Sequence, residues 1–116
     1  MKTFIITTNS TRAAATLASV DALNPEIFQG SDASTWTKES EELKIIRGAT
    51  TRAGLLYGQA GCTLSHVRIW KLVAEETQPC LILEDDAVLT DDADLSSWPE
   101  CDFLWLYGNP NPEKNP

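Results

Sequence analysis

At 116 residues and 42% hydrophobic content, the chain can bury one sizeable core but not two, so a single domain spanning 1–116 is expected. A formal charge of -8 disfavours sequence-independent binding to nucleic acid, which depends on many Lys and Arg contacts to phosphate, and an anionic small ligand would need a cation beside it. The longest apolar runs, Phe4 to Ile6 and Leu81 to Leu83, fall far short of the roughly 20 residues that cross a bilayer, and Met1 to Thr8 turns polar too early for a secretory signal, so a cytoplasmic protein without a membrane span is expected.

Lys2 to Thr8 places Phe4, Ile5 and Ile6 between Thr residues, which predicts a first strand ending at Asn9 to Arg12. The Ala-rich stretch Thr11 to Leu23 has Ala14, Leu17 and Ala18 at helical spacing and stops at Asn24 and Pro25. Glu26 to Gln29 reads as a short second strand, and Gly30 to Ser34 as a polar loop. Trp36 to Arg47 is expected to be helical, with Thr37 or Ser40 as a cap ahead of the glutamates. Gly48 to Gly61 reads as loop. Cys62 to Glu76 is the clearest helix, with Leu64, Val67, Trp70, Val73 and Ala74 as its apolar stripe. Cys80 to Leu83 is a continuous apolar run that suits the centre of a sheet covered on both faces. Asp91 to Ser97 reads as a solvated connection, with Asp91, Asp92 and Asp94 as a charge run exposed to water. Phe103 to Tyr107 is expected to be another strand, and 108–116, rich in Asn and Pro, a loose tail. Strands alternating with helices predict a three-layer α/β domain with a mainly parallel sheet. Cys62, Cys80 and Cys101 are too widely spaced for a disulfide framework or a Cys-x-x-Cys metal site and are expected to be reduced and mostly buried.

The chemistry is expected at Glu84, Asp85 and Asp86, where a buried strand ends. Open parallel sheets bind ligands beyond the carboxyl ends of their strands. On extended backbone Glu84 and Asp86 point to one side and Asp85 to the other. Two carboxylates on one face suit Mg or Mn, and such an ion can bridge them to a diphosphate that the net charge repels. The competing reading is an acidic turn that is merely solvated. A phosphoacceptor receiver domain also clusters acids at strand ends, but Phe4 to Asn9 carries no acid where that family needs its pair. His66 and Trp70, four apart, share a helical face and are either a packed pair or ligand contacts. Ser65 could cap or contact phosphate, and Arg12 is either a surface residue or a fork for phosphate.

The run Gly61-Cys62-Thr63-Leu64-Ser65-His66, then Trp70, then Leu81-Ile82-Leu83-Glu84-Asp85-Asp86-Ala87 resembles the central signature of glycosyltransferase family 25, which includes lipopolysaccharide-type sugar transferases and collagen galactosyltransferases. Phe4 to Arg12 is similar to that family's opening strand and following Arg, and Phe28-Gln29-Gly30 to its short apolar-x-Gly element. The resemblance implies a GT-A-type, Rossmann-like nucleotide-binding fold in which Asp86, with Glu84 as partner, holds Mn or Mg and Asp85 bonds to sugar or backbone. It implies a nucleotide-sugar donor, expected to be a uridine diphosphate sugar, and transfer to an acceptor hydroxyl that a nearby carboxylate deprotonates. Full-length relatives continue well past the acidic motif, so the chain is expected to carry the donor-side half. Three outcomes follow: an enzyme completed by a partner or by self-association, a non-catalytic nucleotide-sugar-binding protein, or a structural remnant. A homodimer is expected, because a sheet shortened in this way exposes an edge.

Overall fold

The computed structural model describes residues 1–37, 39–45, 57–90, 94–104 and 106, with only the backbone of residues 57 and 58. Three parallel strands, β1 (Lys2–Thr7), β2 (Glu26–Gln29) and β3 (Cys80–Glu84), lie in the order β2-β1-β3. Phe4 sits opposite Glu26 and Ile82, and Ile6 opposite Phe28 and Glu84. The expected α/β architecture with a parallel sheet is present. The central strand, however, is β1, buried from Thr3 through Thr7, and not the apolar run Cys80 to Leu83. β3 flanks β1, with Leu81 and Leu83 buried and Ile82 half-buried. Its unbroken apolarity reflects cover on both faces, which an outer strand of a three-layer domain also needs.

Helix α1 (Ala14–Ser19) and a 3-10 turn, Asp21–Leu23, follow β1. The helix is shorter than Thr11 to Leu23 because residues 9–13 form turns. There Asn9 Oδ1 accepts the Thr11 N–H at 3.0 Å, and the Arg12 and Ala13 N–H groups donate to the Asn9 and Ser10 carbonyls. Asn24, at φ 53°, ends the 3-10 turn in the left-handed region that Asn tolerates.

Helix α2 (Glu41–Ile45) falls inside the predicted Trp36 to Arg47 segment, of which Lys38, Ile46 and Arg47 lie outside the described residues. Helix α3 (Tyr57–Val73) starts within the predicted Gly48 to Gly61 loop; residues 48–56 of that loop lie outside the described residues. Within this helix, position 61 needs glycine because the chain leaving β2 packs directly onto it. A Cβ there would stand 2.8 Å from the Ser31 carbonyl oxygen, so only glycine allows the approach.

The stripe predicted for α3 is also rotated. Ala60, Leu64 and Ile69 are buried, whereas Trp70 is 46% exposed, Ala74 is exposed and Val67 is half-buried. The cause is that α3 packs on two partners: Ile69 and Val73 face the sheet against Phe4 and Ile6, while Ala60 and Leu64 meet Trp36 and Leu43. A helix with two contact faces loses the simple apolar period. On the opposite face of the sheet, Ile5, Leu81 and Leu83 pack with Ala13, Leu17 and Val20, and with Leu89 and Trp98 further on. After β2 the chain crosses back over β1 to β3, so successive right-handed crossovers between parallel strands run in opposite senses across the sheet and lie on opposite faces, which gives the three layers.

Phe103 to Tyr107 is not a strand at its described positions: Phe103, Leu104 and Leu106 are exposed and belong to none of the three sheet strands, and Trp105 and Tyr107 lie outside the described residues. Apolar composition alone does not make a strand, because β propensity reflects packing in a sheet rather than an intrinsic backbone preference. Residues 91–93 and 107–116, hence Asp91, Asp92 and the predicted tail from 108, also lie outside the described residues. Asp94 leads into the 3-10 turn Leu95–Ser97, where its carboxylate accepts the Ser96 N–H and Oγ–H. No described helix is long and apolar enough to cross a membrane.

Candidate functional site at the carboxyl ends of β1 and β3

Strand parity decides which side each acid serves. Parallel partners point the same way, so Ile6 and its partner Glu84 share the α3 face with Phe4 and Ile82, while Thr7 shares the α1 face with Ile5 and Leu83. Asp85, one residue beyond Glu84, falls on the α1 face. The Ala87 N–H then donates to the Glu84 carbonyl, which turns the chain.

Asp85 is held from several directions. Its Oδ2 lies 2.8 Å from the Thr7 hydroxyl, which also stands 2.7 Å from the Asn9 carbonyl; with one proton, the hydroxyl donates to one of them at a time. Thr16, fully buried on α1, donates its hydroxyl to the Asp85 carbonyl at 2.9 Å. Ser19 accepts the Leu89 N–H, fixing the chain just beyond the acids. Arg12 Nη2 stands 3.7 Å from Asp85 Oδ1, with its side chain 64% exposed. An ion pair this long and wet contributes about 0 to 1 kcal/mol, so the guanidinium is held loosely near the acid and remains accessible to a ligand.

Glu84 meets α3 instead. His66 Nε2 lies 3.1 Å and Cys62 Sγ 3.3 Å from the same oxygen, Glu84 Oε1. Cys62 and His66 are one helical turn apart and continue the sheet-facing line of Ile69 and Val73 to the open end of the sheet. Although Cys62 as a residue is exposed, partial burial of its thiol, the hydrogen bond to Glu84 and the charges of Glu84 and Asp86 push the thiol up to about 11. The charge of Asp86 therefore bears on the same thiol as that of Glu84. Asp86 is exposed and makes no hydrogen bond or ion pair among the described residues.

The remaining candidates separate in space. Ser65 is buried; its hydroxyl donates to the Gly61 carbonyl and accepts the Ser31 N–H, both at 2.8 Å. It tethers the loop after β2, and Arg68 Nη1 donates to Ser31 Oγ beside it. Trp70 stacks obliquely on His66 at 6.0 Å and edge-on to Phe103 at 6.4 Å. The cysteines are all free, but Cys62 and Cys101 are exposed and only Cys80 is half-buried, which corrects the expectation that they are mostly buried. Thr7, Thr16 and Cys62 are parts of the site that sequence reading did not assign. Thr7 and Thr16 carry no separate signal in the chain, whereas Cys62 could have been found from its four-residue spacing to His66.

The family model for glycosyltransferase family 25, described as a lipopolysaccharide biosynthesis protein family, matches residues 1–111. No curated protein and no solved structure matches the chain. With the family's span covering nearly the whole sequence and its acidic run standing at the open end of the parallel sheet, the chain belongs to glycosyltransferase family 25.

Proposed function

We propose that the chain binds a nucleotide-diphosphate sugar beyond the carboxyl ends of β1 and β3 and transfers the sugar to an acceptor hydroxyl. The observation that carries this reading is the division of three consecutive acids: Asp85 is braced on the α1 side, whereas Glu84 and Asp86 are exposed and both their charges bear on the Cys62 thiol. A chain of charge -8 repels a diphosphate unless a cation intervenes, and exposed carboxylate oxygens fit a hard divalent ion such as Mn or Mg. Glu84 and Asp86 would hold it. The chemistry it supplies when bound is neutralisation of charge on the leaving diphosphate.

The chain's own residues do the rest in this proposal. Arg12, loosely paired, turns its planar fork to a phosphate. Asp85, oriented by Thr7 and by the Thr16 bond to its carbonyl, accepts a sugar hydroxyl. A nearby carboxylate not engaged on the ion takes the proton of the acceptor hydroxyl. His66 and Ser65 support the donor side, His66 through Glu84 and Ser65 by fixing the 31–34 loop. β2 is a sheet edge with Ile27 43% exposed, and pairing with a second copy along that edge is part of the proposal.

Titration calorimetry with uridine diphosphate sugars, with and without Mn, tests the binding. Metal-dependent binding that Asp86→Asn weakens by about tenfold or more, about 1.4 kcal/mol, is expected; equal binding without metal or in the variant sinks the reading. Release of labelled sugar to an acceptor then separates an enzyme from a protein that binds without turnover.

A further inference from the structure

We infer that Cys62, His66 and Glu84 form a three-donor site for a transition-metal ion of the zinc type, with one coordination position left open. Their ligand atoms all lie within 4.8 Å of one another. In a tetrahedral zinc site, bond lengths of about 2.0 to 2.3 Å place neighbouring N and O donors about 3.3 Å apart and S and O donors about 3.5 Å apart. His66 Nε2 to Glu84 Oε1 is 3.1 Å, and Cys62 Sγ to Glu84 Oε1 is 3.3 Å. Two of the three donor separations therefore match the edges of a coordination tetrahedron, and the third, Cys62 Sγ to His66 Nε2, lies within 4.8 Å. The placement has a structural origin: Cys62 and His66 are successive turns of the sheet-facing line on α3, and the parity of β3 delivers Glu84 to that same face. Thiolate and imidazole are donors that select zinc-like ions over Mg. Three protein ligands at a solvent-facing sheet end, with Glu84 half exposed, leave a fourth position for water or substrate, as in catalytic rather than structural zinc sites. Coordination exchanges the Cys62 thiol proton for the ion and requires the His66 proton on Nδ1, so that Nε2 offers its lone pair.

The inference shares Glu84 with the donor site proposed above and rests on that reading for nothing else. Its test therefore uses no sugar nucleotide. Metal-free protein is titrated with cobalt(II) alone, and thiolate-to-cobalt charge-transfer absorption in the near ultraviolet is followed. Saturation at one ion per chain is expected, with displacement by zinc. Cys62→Ser, which keeps a hydrogen bond to Glu84, abolishes the band, and His66→Asn weakens binding by about tenfold or more. Cys80→Ser and Cys101→Ser leave the band intact, and circular dichroism of each variant confirms its fold. Absence of the band in the parent protein, or its survival in Cys62→Ser, overturns the inference. Failure of calorimetric donor binding with the band present would sink the donor reading and leave the metal site standing.

Discussion

The two sides of the sheet's open end are built differently. On the α1 side, Asp85 is fixed through side chain and backbone by Thr7 and Thr16, and the following chain by Ser19, on residues that are buried or nearly so. On the α3 side, Glu84 is half exposed and its partners Cys62 and His66 converge on a single oxygen, while Asp86, next in the chain but one, is exposed and makes no hydrogen bond or ion pair among the described residues. One acid is therefore part of the fold, and its neighbours stand where coordination can change without disturbing the core. Preorganised groups and exchangeable groups are both needed where a ligand is held and then released.

The comparison is broken most directly at Thr16. Thr16→Val preserves shape but leaves the Asp85 carbonyl without its buried donor, which costs about 1 to 3 kcal/mol. Thermal or urea unfolding is expected to show this loss. An unchanged midpoint would mean that water replaces the hydroxyl and that the α1 side is no more constrained than the α3 side.

How much of this was legible in the sequence depends on whether a feature is local. β1, β2 and the acidic strand end were readable because apolar runs bounded by Thr, Asn or Asp are strand signals within a few residues. The signature from Gly61 to Ala87 was legible for the same reason, and the family it resembles is the one whose model matches the chain. Strand order was not readable, because whether Cys80 to Leu83 lies at the centre or beside β1 depends on pairing across more than seventy residues, and an apolar run looks the same in either place. The stripe of α3 was misplaced because the helix serves both the sheet and α2, so Trp70 is outside and Ile69 inside. The bracing of Asp85 was invisible, since Thr7 and Thr16 are ordinary strand and helix residues until the fold sets them beside residue 85.

A second effect, of about tenfold in rate, is expected at Cys62. Only the thiolate reacts with iodoacetamide, and the thiol is pushed up to about 11 by partial burial and then by Glu84 and Asp86. In the folded protein near pH 8, Cys62 should therefore be alkylated about tenfold or more slowly than in the urea-unfolded chain, as read by peptide mass mapping. The linkage sign follows: a thiol raised on folding favours the folded state below its ordinary value, and that contribution disappears as pH rises through about 11. Glu84→Gln removes the adjacent charge and should speed the folded-state reaction. Equal rates in folded and unfolded chains would show that the thiol is not held against the acids.

The smallest effect is the most diagnostic. Glu84→Gln keeps the length of the side chain and a carbonyl oxygen for His66 and Cys62, and half of the side chain is already in water. Its effect on unfolding free energy is expected to stay within about 0.5 kcal/mol, as for exposed positions away from the core. A larger loss would make Glu84 a structural tie between β3 and α3, equivalent in kind to Asp85 on the other face. A loss this small, in a variant that no longer shows the cobalt–thiolate band at the same ion concentration, would mean that the carboxylate is kept at the sheet end for what it binds, since the fold does without it.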